Sequence, residues 1–530
     1  MNDNLFNKRN YCGETGGEGA CTFDPTLMLI VEIIIHYAKA IAFYLINFKD
    51  TKYEEPQIAM KLVEILASVI VNADFNSKEF EQTLFAMRNK IIEYEKNYRT
   101  LFNIAPPNFL ISQTQISINE LLAKGEKFII KNNIEMSREL QDLHAIILYS
   151  IRSACVYTKE LWYFNQDVLD YVNQIIEFLN ILNDYNANFD ELKNDIEQFC
   201  KLHYELVLKL EKTLKENYGA LEETIVNRNE YEGKSILVSG HNYYELERVL
   251  EATKNQGINV YTHDGLLNAH VYKKFKNYDH LKGHYQKYLQ SSSSDFAAFK
   301  GTIFVTNTPM EEFDSFGRGR IFTSSMFVGL GISKIQIDDF STLIETTKNI
   351  NGFEKFTEYP PIKICSLNNN FNSILSDLKN KFESNEITKI FIIKIDKETV
   401  KLRTQLDKFI NSIPNNVFVF ATFDIDRKNF IKIDSFYDYG ILYQFVNEMK
   451  NEFNIDEKTI SLFISHCNIH TLSYLITLSF MGVKNIYLGD CSYFMINPVV
   501  INSIEKFFGI KKLSYLLNLP TTGIIQELYG

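Results

Sequence analysis

His466 and His470 stand four residues apart beside Cys467, a spacing that on a helix puts two imidazoles on one face and could bind zinc. The plainer expectation is that they are packing or hydrogen-bonding groups around a closed cavity. Cys12 and Cys21 bracket the run Gly13-Glu14-Thr15-Gly16-Gly17-Glu18-Gly19-Ala20. That run lacks both a preceding strand and a Lys-Ser/Thr pair, so it is no phosphate loop. The two thiols read either as a vestigial or intermolecular metal site or as ordinary cysteines. His263, His270, His280 and His284 are numerous enough for a metal but are expected as structural histidines, and Glu311-Glu312 and Asp338-Asp339 read as solvated loop faces.

The elements that must position these groups change character along the chain. From Leu27 to Asn217 apolar residues recur at three and four positions, as in Ile58 to Asn72, Glu79 to Tyr98 and Asp167 to Leu182, which predicts helices. A weak repeat relates Ile34 to Tyr44 with Ile147 to Tyr157, pairing Lys39-Ala40 with Arg152-Ser153. Two related helical bundles would explain it. After Gly233, short β-branched runs alternate with helical stretches, the pattern of α/β layers around a parallel sheet. Strands are predicted at Ser235 to Gly240, Ile258 to Tyr261, Thr302 to Thr306, Lys334 to Ile337, Ile390 to Ile395, Val417 to Ala421, Ile460 to Ile464 and Asn485 to Leu488. Pro360-Pro361 separates them into two similar units.

A chain of 530 residues exceeds what a single core supports, and 45% hydrophobic with 23% charged residues excludes a disordered protein. A net charge of −11 provides no basic footprint for nucleic acid or an anionic membrane. Glu32, His36 and Lys39 interrupt the apolar stretch Leu27 to Leu45, so it is expected as a core helix rather than a membrane span. Seven scattered cysteines, an odd number, argue against a disulfide framework. With no basic leader at the start, the expectation is a cytoplasmic protein.

Ile236-Leu237-Val238-Ser239-Gly240-His241, followed by Val260-Tyr261-Thr262-His263 and Asn268-Ala269-His270, resembles the hybrid cluster proteins, also called prismane proteins or hydroxylamine reductases. Cys12 to Thr22, Gly301 to Asn307 with Arg320 to Thr323, and Leu475 to Leu478 through Gly482 to Gly489 into Asn497 to Val500 follow in the same order. The resemblance implies an α + α/β architecture: a degenerate cluster-binding segment (1–27), a helical domain of two bundles (28–220) and two Rossmann-like α/β domains (234–362 and 363–530).

It also implies a cubane-type iron-sulfur cluster on four N-terminal cysteines, and a hybrid cluster on one His, two Glu and four Cys with a Lys nearby. Soft thiolates hold such cores, so each position matters. Cys12 and Cys21 fit the second and third N-terminal cysteines, while Arg9 and Leu27 stand at the first and fourth. His241 fits the family histidine. The first bridging carboxylate falls on Gly265, cysteines fall on Thr308 and Asp396, a third is missing around Thr422 and Phe423, and the window Asp434 to Tyr443 lacks the fourth. The last Glu and Lys become Asn468 and His470.

The expectation is therefore a pseudoenzyme: no catalytic residue, no cofactor, and a structural, assembly or regulatory role as a homo-oligomer or a subunit of a larger complex. Tyr437, Tyr439 and Phe423 are the candidates to fill the vacated interior. Two alternatives stay open. One is an active hydroxylamine or nitric oxide reductase whose clusters are completed by unrecognised or partner ligands; the other is a hydrolase or sensor with a single metal on His241 and His470.

Overall fold

Helix α1 (Pro25–Phe48) is mostly buried, its Glu32, His36 and Lys39 included, because other helices pack around most of its circumference. It is the one helix among the described residues long and apolar enough to cross a membrane, and it forms the core of a helical bundle instead. The computed structural model describes residues 25–68, 77–109, 136–286, 292–306, 319–328, 331–364, 367–394, 400–433, 439–451, 453–465, 469–489 and 498–529. The chain divides into two units, the first Met1–Leu202 with Val305–Asp339, the second His203–Phe304 with Phe340–Gly530.

In the first unit α1 packs with α2 (Pro56–Ser68), α3 (Ser77–Phe102) and α5 (Leu169–Ile181), α4 (Arg138–Tyr163) packs on α2 and α5, and Phe199 in the opening turns of α6 (Phe189–Tyr218) meets Phe178 of α5. Ser137 starts α4 by accepting a hydrogen bond from the Leu140 amide, which satisfies one of the orphan donors of the first turn. Tyr44 and Phe48 of α1 meet Tyr94 of α3 at ring separations of 5.8 and 5.3 Å. Contacts of this kind add about 1 kcal/mol beyond their buried area. Phe80 of α3 stacks on Phe327 at 3.9 Å, and the Val328 amide donates to the Glu79 carboxylate. The later segment Val305–Asp339 is thereby tied to α3.

The repeated pairs Lys39-Ala40 and Arg152-Ser153 are all buried in this bundle. Lys39 donates to the Leu182 carbonyl and the Tyr185 hydroxyl, both at 3.4 Å. Burial pushes the Glu32 carboxyl up to about 7 from 4.5, with Arg152 and Lys39 pulling the other way. Between those two values the folded chain holds a proton that the unfolded chain has lost. The proton's stabilising contribution is thus present at low pH and lost as pH rises through the folded value. Glu32→Gln carries no such loss. Urea midpoints of wild type and variant, read at about pH 6 and about pH 8, should diverge by about 1.4 kcal/mol, wild type being the poorer at high pH. Parallel pH profiles would mean that Glu32 is ionised throughout.

The second unit begins with the rest of α6, which stops at Gly219 with φ +88°, a left-handed residue where a side chain would strain the backbone. Strand β1 (Thr224–Val226) later pairs antiparallel with β8 (Ile362–Ile364). Between them in the chain run β2 (Lys234–Ser239), α7 (Tyr243–Thr253), β3 (Ile258–His263), β4 (Leu281–His284) and β5 (Thr302–Val305), then β6 (Ile321–Thr323) and β7 (Ser333–Lys334), which fall in the later segment of the first unit. Their order in the sheet is β4-β3-β2-β5-β6-β7. After α8 (Leu367–Glu383) come β9 (Lys389–Lys394), β10 (Val417–Ala421), β11 (Phe430–Lys432), α9 (Tyr439–Asn451), β12 (Ile460–Ile464), α10 (Ile469–Phe480), β13 (Asn485–Leu488) and β14 (Ile510–Lys512). This second sheet has the order β11-β10-β9-β12-β13-β14, parallel throughout.

Counted from its own first strand, each sheet runs 3-2-1-4-5-6, the doubly wound arrangement. The fold class is thus α + α/β, helical bundle first and two Rossmann-like sheets after it. Because side chains alternate across a strand, Phe391 and Ile393 enter one core with Phe463 and Tyr487, while Ile392 and Lys394 face the other side. Phe423 packs at the edge of that first core. Tyr437 lies outside the described residues, as does the side chain of Tyr439.

Candidate functional site

In doubly wound sheets ligands gather outside the carboxyl ends of the strands where the order reverses. These points lie between β2 and β5 in one sheet and between β9 and β12 in the other. His241 follows the end of β2, Lys394 ends β9, and His470 sits in the first turn of α10, just after β12.

Gly240, at φ +123°, turns the chain sharply at the end of β2 and presents His241. The imidazole, with 19% of its side chain exposed, lies directly over Gly265. A Cβ at that glycine would come within 2.5 Å of His241 Cδ2. Asp264 takes up φ +60° at the turn out of β3 and sets a carboxylate oxygen 3.9 Å from His241 Nδ1. Burial lowers the His241 pKa, Asp264 works against that and His263 adds to it.

His470 is driven well below the ordinary histidine value by burial, reinforced by His203 and His241. His203 is wholly buried on α6 and pushed down to about 3 by desolvation; its Nδ1 lies 3.0 Å from the Tyr443 hydroxyl. Tyr443 is also 3.4 Å from the Tyr474 carbonyl of α10. The structure therefore brings the two sequence-predicted histidines, His241 and His470, into one electrostatic group and adds His203. Nothing in the sequence marked His203, a lone histidine on an amphipathic helix. All three are neutral near pH 7, able to donate and accept hydrogen bonds in a water-poor setting.

His263, His270, His280 and His284 are hydrogen-bonded within the scaffold. Ser239 Oγ is 2.8 Å from His263 Nδ1, and His263 Nε2 is 3.5 Å from Asp295. Although this is a Ser-His-Asp string, all three residues are buried and no substrate reaches the hydroxyl. Thr262 Oγ1 links His270 at 2.8 Å and His284 at 3.0 Å, while His280 meets Thr253 and the Leu250 carbonyl. Burial lowers His270 to about 4 and His284 to about 3.

No three His, Cys, Asp or Glu side chains among the described residues converge as metal ligands. The two described cysteines, Cys155 and Cys200, are buried in helices of the first unit, and burial pushes the Cys155 thiol far up, away from the thiolate that iron requires. The described residues around His241 thus do not fit an iron-sulfur-oxygen cluster. A carboxylate at position 265 would displace the imidazole, and neither of the two described cysteines stands beside it. Cys12, Cys21, Thr308, Asp396, His466, Cys467 and Asn468 lie outside the described residues, as do Cys365 and Cys491.

The description "Prismane/CO dehydrogenase family" matches residues 9–422. A hydroxylamine reductase of Thermodesulfovibrio yellowstonii is 26% identical over 519 residues, covering 93% of this chain and 95% of its own. One of Gloeothece citriformis is 24% identical over 530 residues, covering 94% and 95%. A solved structure of acetyl-CoA synthase/carbon monoxide dehydrogenase alpha subunits with NiZn[Fe4S4] and NiNi[Fe4S4] clusters covers 94% of this chain and 82% of that one, at a TM-score of 0.46 and 11% identity. The expectation of no cofactor is corrected by the family match, which points to iron-sulfur cofactors. That expectation rested on ligand replacements read at both cluster positions, and five of the seven cysteines that bear on it lie outside the described residues. Over most of its length, and with the sheet order and helical bundle described above, the chain belongs to the Prismane/CO dehydrogenase family.

Proposed function

We propose that the chain is a member of this family that does not reduce hydroxylamine beside His241 and serves instead as a structural, assembly or regulatory component, as a homo-oligomer or a fixed subunit. Iron-sulfur chemistry remains with the cysteines outside the described residues, Cys12 and Cys21 foremost. The observation that carries this reading is the contact of His241 with Gly265, where the imidazole fills the place into which a bridging carboxylate would project. Bridging carboxylates and thiolates set the charge and potential of an iron cluster, and a neutral imidazole over bare backbone substitutes for neither.

A second reading, reduction of hydroxylamine, is favoured by the full-length similarity to two hydroxylamine reductases. The test is anaerobic purification from the native source, iron and sulfide analysis, and an assay of hydroxylamine-dependent oxidation of reduced methyl viologen. The expected result is about four irons per chain or fewer, one cluster's worth, and no oxidation above the blank. Turnover with hydroxylamine would sink the reading in favour of the second one.

A further inference from the structure

Helices α1 and α4 face one another across the bundle of the first unit, with α2 and α5 packed on both. Glu32 and Lys39 of α1 and His144 and Arg152 of α4 are all buried there. Lys39 acts on His144 at one level of the bundle, and Arg152 acts on Glu32 at another. Lys39 is only 3% exposed, and its ammonium meets neutral groups: the Leu182 carbonyl and the Tyr185 hydroxyl at 3.4 Å each, with the Tyr185 ring centre 5.4 Å away. His144 is 0% exposed and its ring lies 6.4 Å from the same tyrosine ring. Neither of its nitrogens has a hydrogen-bond partner among the described residues.

We propose that Lys39 and His144 bind a compact monovalent anion, such as chloride, in the bundle core beside Tyr185. Bundles build their ligand sites in this way, from side chains on facing helices. Three observations converge on it. First, a buried charge is expensive unless an opposite charge accompanies it. Glu32 is a poor companion, because burial raises its carboxyl to about 7 and leaves it partly protonated at neutral pH, and it forms no ion pair with Lys39. Secondly, buried polar groups are nearly always hydrogen-bonded, and His144 departs from that rule. His36 of the same core reaches the Phe109 carbonyl at 2.8 Å, whereas His144, lowered to about 4 mainly by burial, is neutral at pH 7 with an N–H to donate. Thirdly, Tyr185, which neighbours both groups, is only half-buried. A single ring thus stands between them and solvent.

Charge and distance select within the class. One ammonium and one neutral imidazole balance a single negative charge, and their shared proximity to one ring limits the ion to one or a few atoms. The site lies in the first unit, away from the histidine group at His241, and needs no iron. It stands or falls separately from the function proposed above.

Chloride is the probe in solution, exchanged for gluconate at constant ionic strength, and bromide is the probe in crystals of the full-length protein. An ion that binds only the folded state raises stability by an equal step for each tenfold rise above its dissociation constant. The urea midpoint read by Trp162 fluorescence should rise with chloride in this way, with a dissociation constant below about 50 mM. General salt effects act on both units, so the dichroism of the second unit serves as the internal control. Lys39→Met keeps the length of the side chain and should remove the chloride response, and His144→Leu should weaken it by about tenfold or more. An anomalous peak should stand between Lys39 Nζ and the His144 ring in crystals soaked in bromide. If Lys39→Met does not fold, His144→Leu and the bromide map decide. Equal Trp162 midpoints in chloride and gluconate, an undiminished response in either folded variant, or a bromide map with no peak between the two residues would each overturn the proposal.

Discussion

Lowering the pH from about 7.5 to about 5 is expected to unfold the α/β unit while the helical unit survives. Buried imidazoles produce the difference. In the second unit His203 and His284 are pushed down to about 3 and His270 to about 4, in each case mainly by burial. Above the ordinary value of 6.5 these groups are neutral in both states and cost nothing. As pH falls below it, the unfolded chain takes up protons that the folded chain refuses, and stability declines until the folded values are reached. At pH 5 each such histidine costs roughly 2 kcal/mol, so the three together remove about 6 kcal/mol. A domain's whole stability is only about 5 to 15 kcal/mol.

The first unit contains two depressed histidines, His36 at about 3 and His144 at about 4, but also the elevated Glu32. Glu32 acts in the opposite sense over the same range, returning roughly 2 to 3 kcal/mol by pH 5 and offsetting more than half of the loss. The single tryptophan, Trp162, belongs to the helical unit and gives it a private signal. Urea titrations followed by Trp162 fluorescence and by far-ultraviolet dichroism should therefore separate at pH 5, dichroism moving first. Coincident curves with an unchanged midpoint would mean that the buried imidazoles are protonated in the fold.

The other large effect is steric. Gly352→Ala should cost about 3 kcal/mol or more and leave the second unit unfolded at moderate urea. Gly233 and Phe353 exchange two backbone hydrogen bonds, at 2.9 and 3.0 Å, where the chain returns to the start of β2. That return brings the Gly352 backbone so near that a Cβ would stand 1.9 Å from the Gly233 carbonyl oxygen. Both sides of the clash are main chain, and no side chain can rotate out of the way. Gly257→Ala is the control. Gly257 has φ +70° with open space around it, so only backbone strain of about 1 kcal/mol is added there. Equal midpoints for the two variants would refute the close approach.

The sequence revealed the long, doubly covered strands and hid the short ones. β2, β3, β9, β10, β12 and β13 carry four to six residues with buried, β-branched or aromatic runs, and each was legible. β4, with Gly283 inside it, and the three-residue strands β1, β6, β8, β11 and β14 were not. Their pairing depends on neighbours distant in the chain, a tertiary effect that local periodicity does not record. The site was legible in the same uneven way. His241 and His470 stood in recognisable strand-end contexts, but their companion His203 comes from a helix more than two hundred residues from His470.

The stacking of Phe80 on Phe327 has a consequence for biosynthesis. The helical unit is discontinuous in sequence, interrupted after Leu202 and completed by Val305–Asp339. A nascent chain that has delivered α1 to α5 must therefore wait for the later segment, roughly ten to thirty seconds at ordinary elongation rates. During that interval the face of α3 around Phe80 is open to whatever meets it at the ribosome. Folding of this protein is thus scheduled by translation, and a slowed codon run anywhere between the two segments lengthens the exposure.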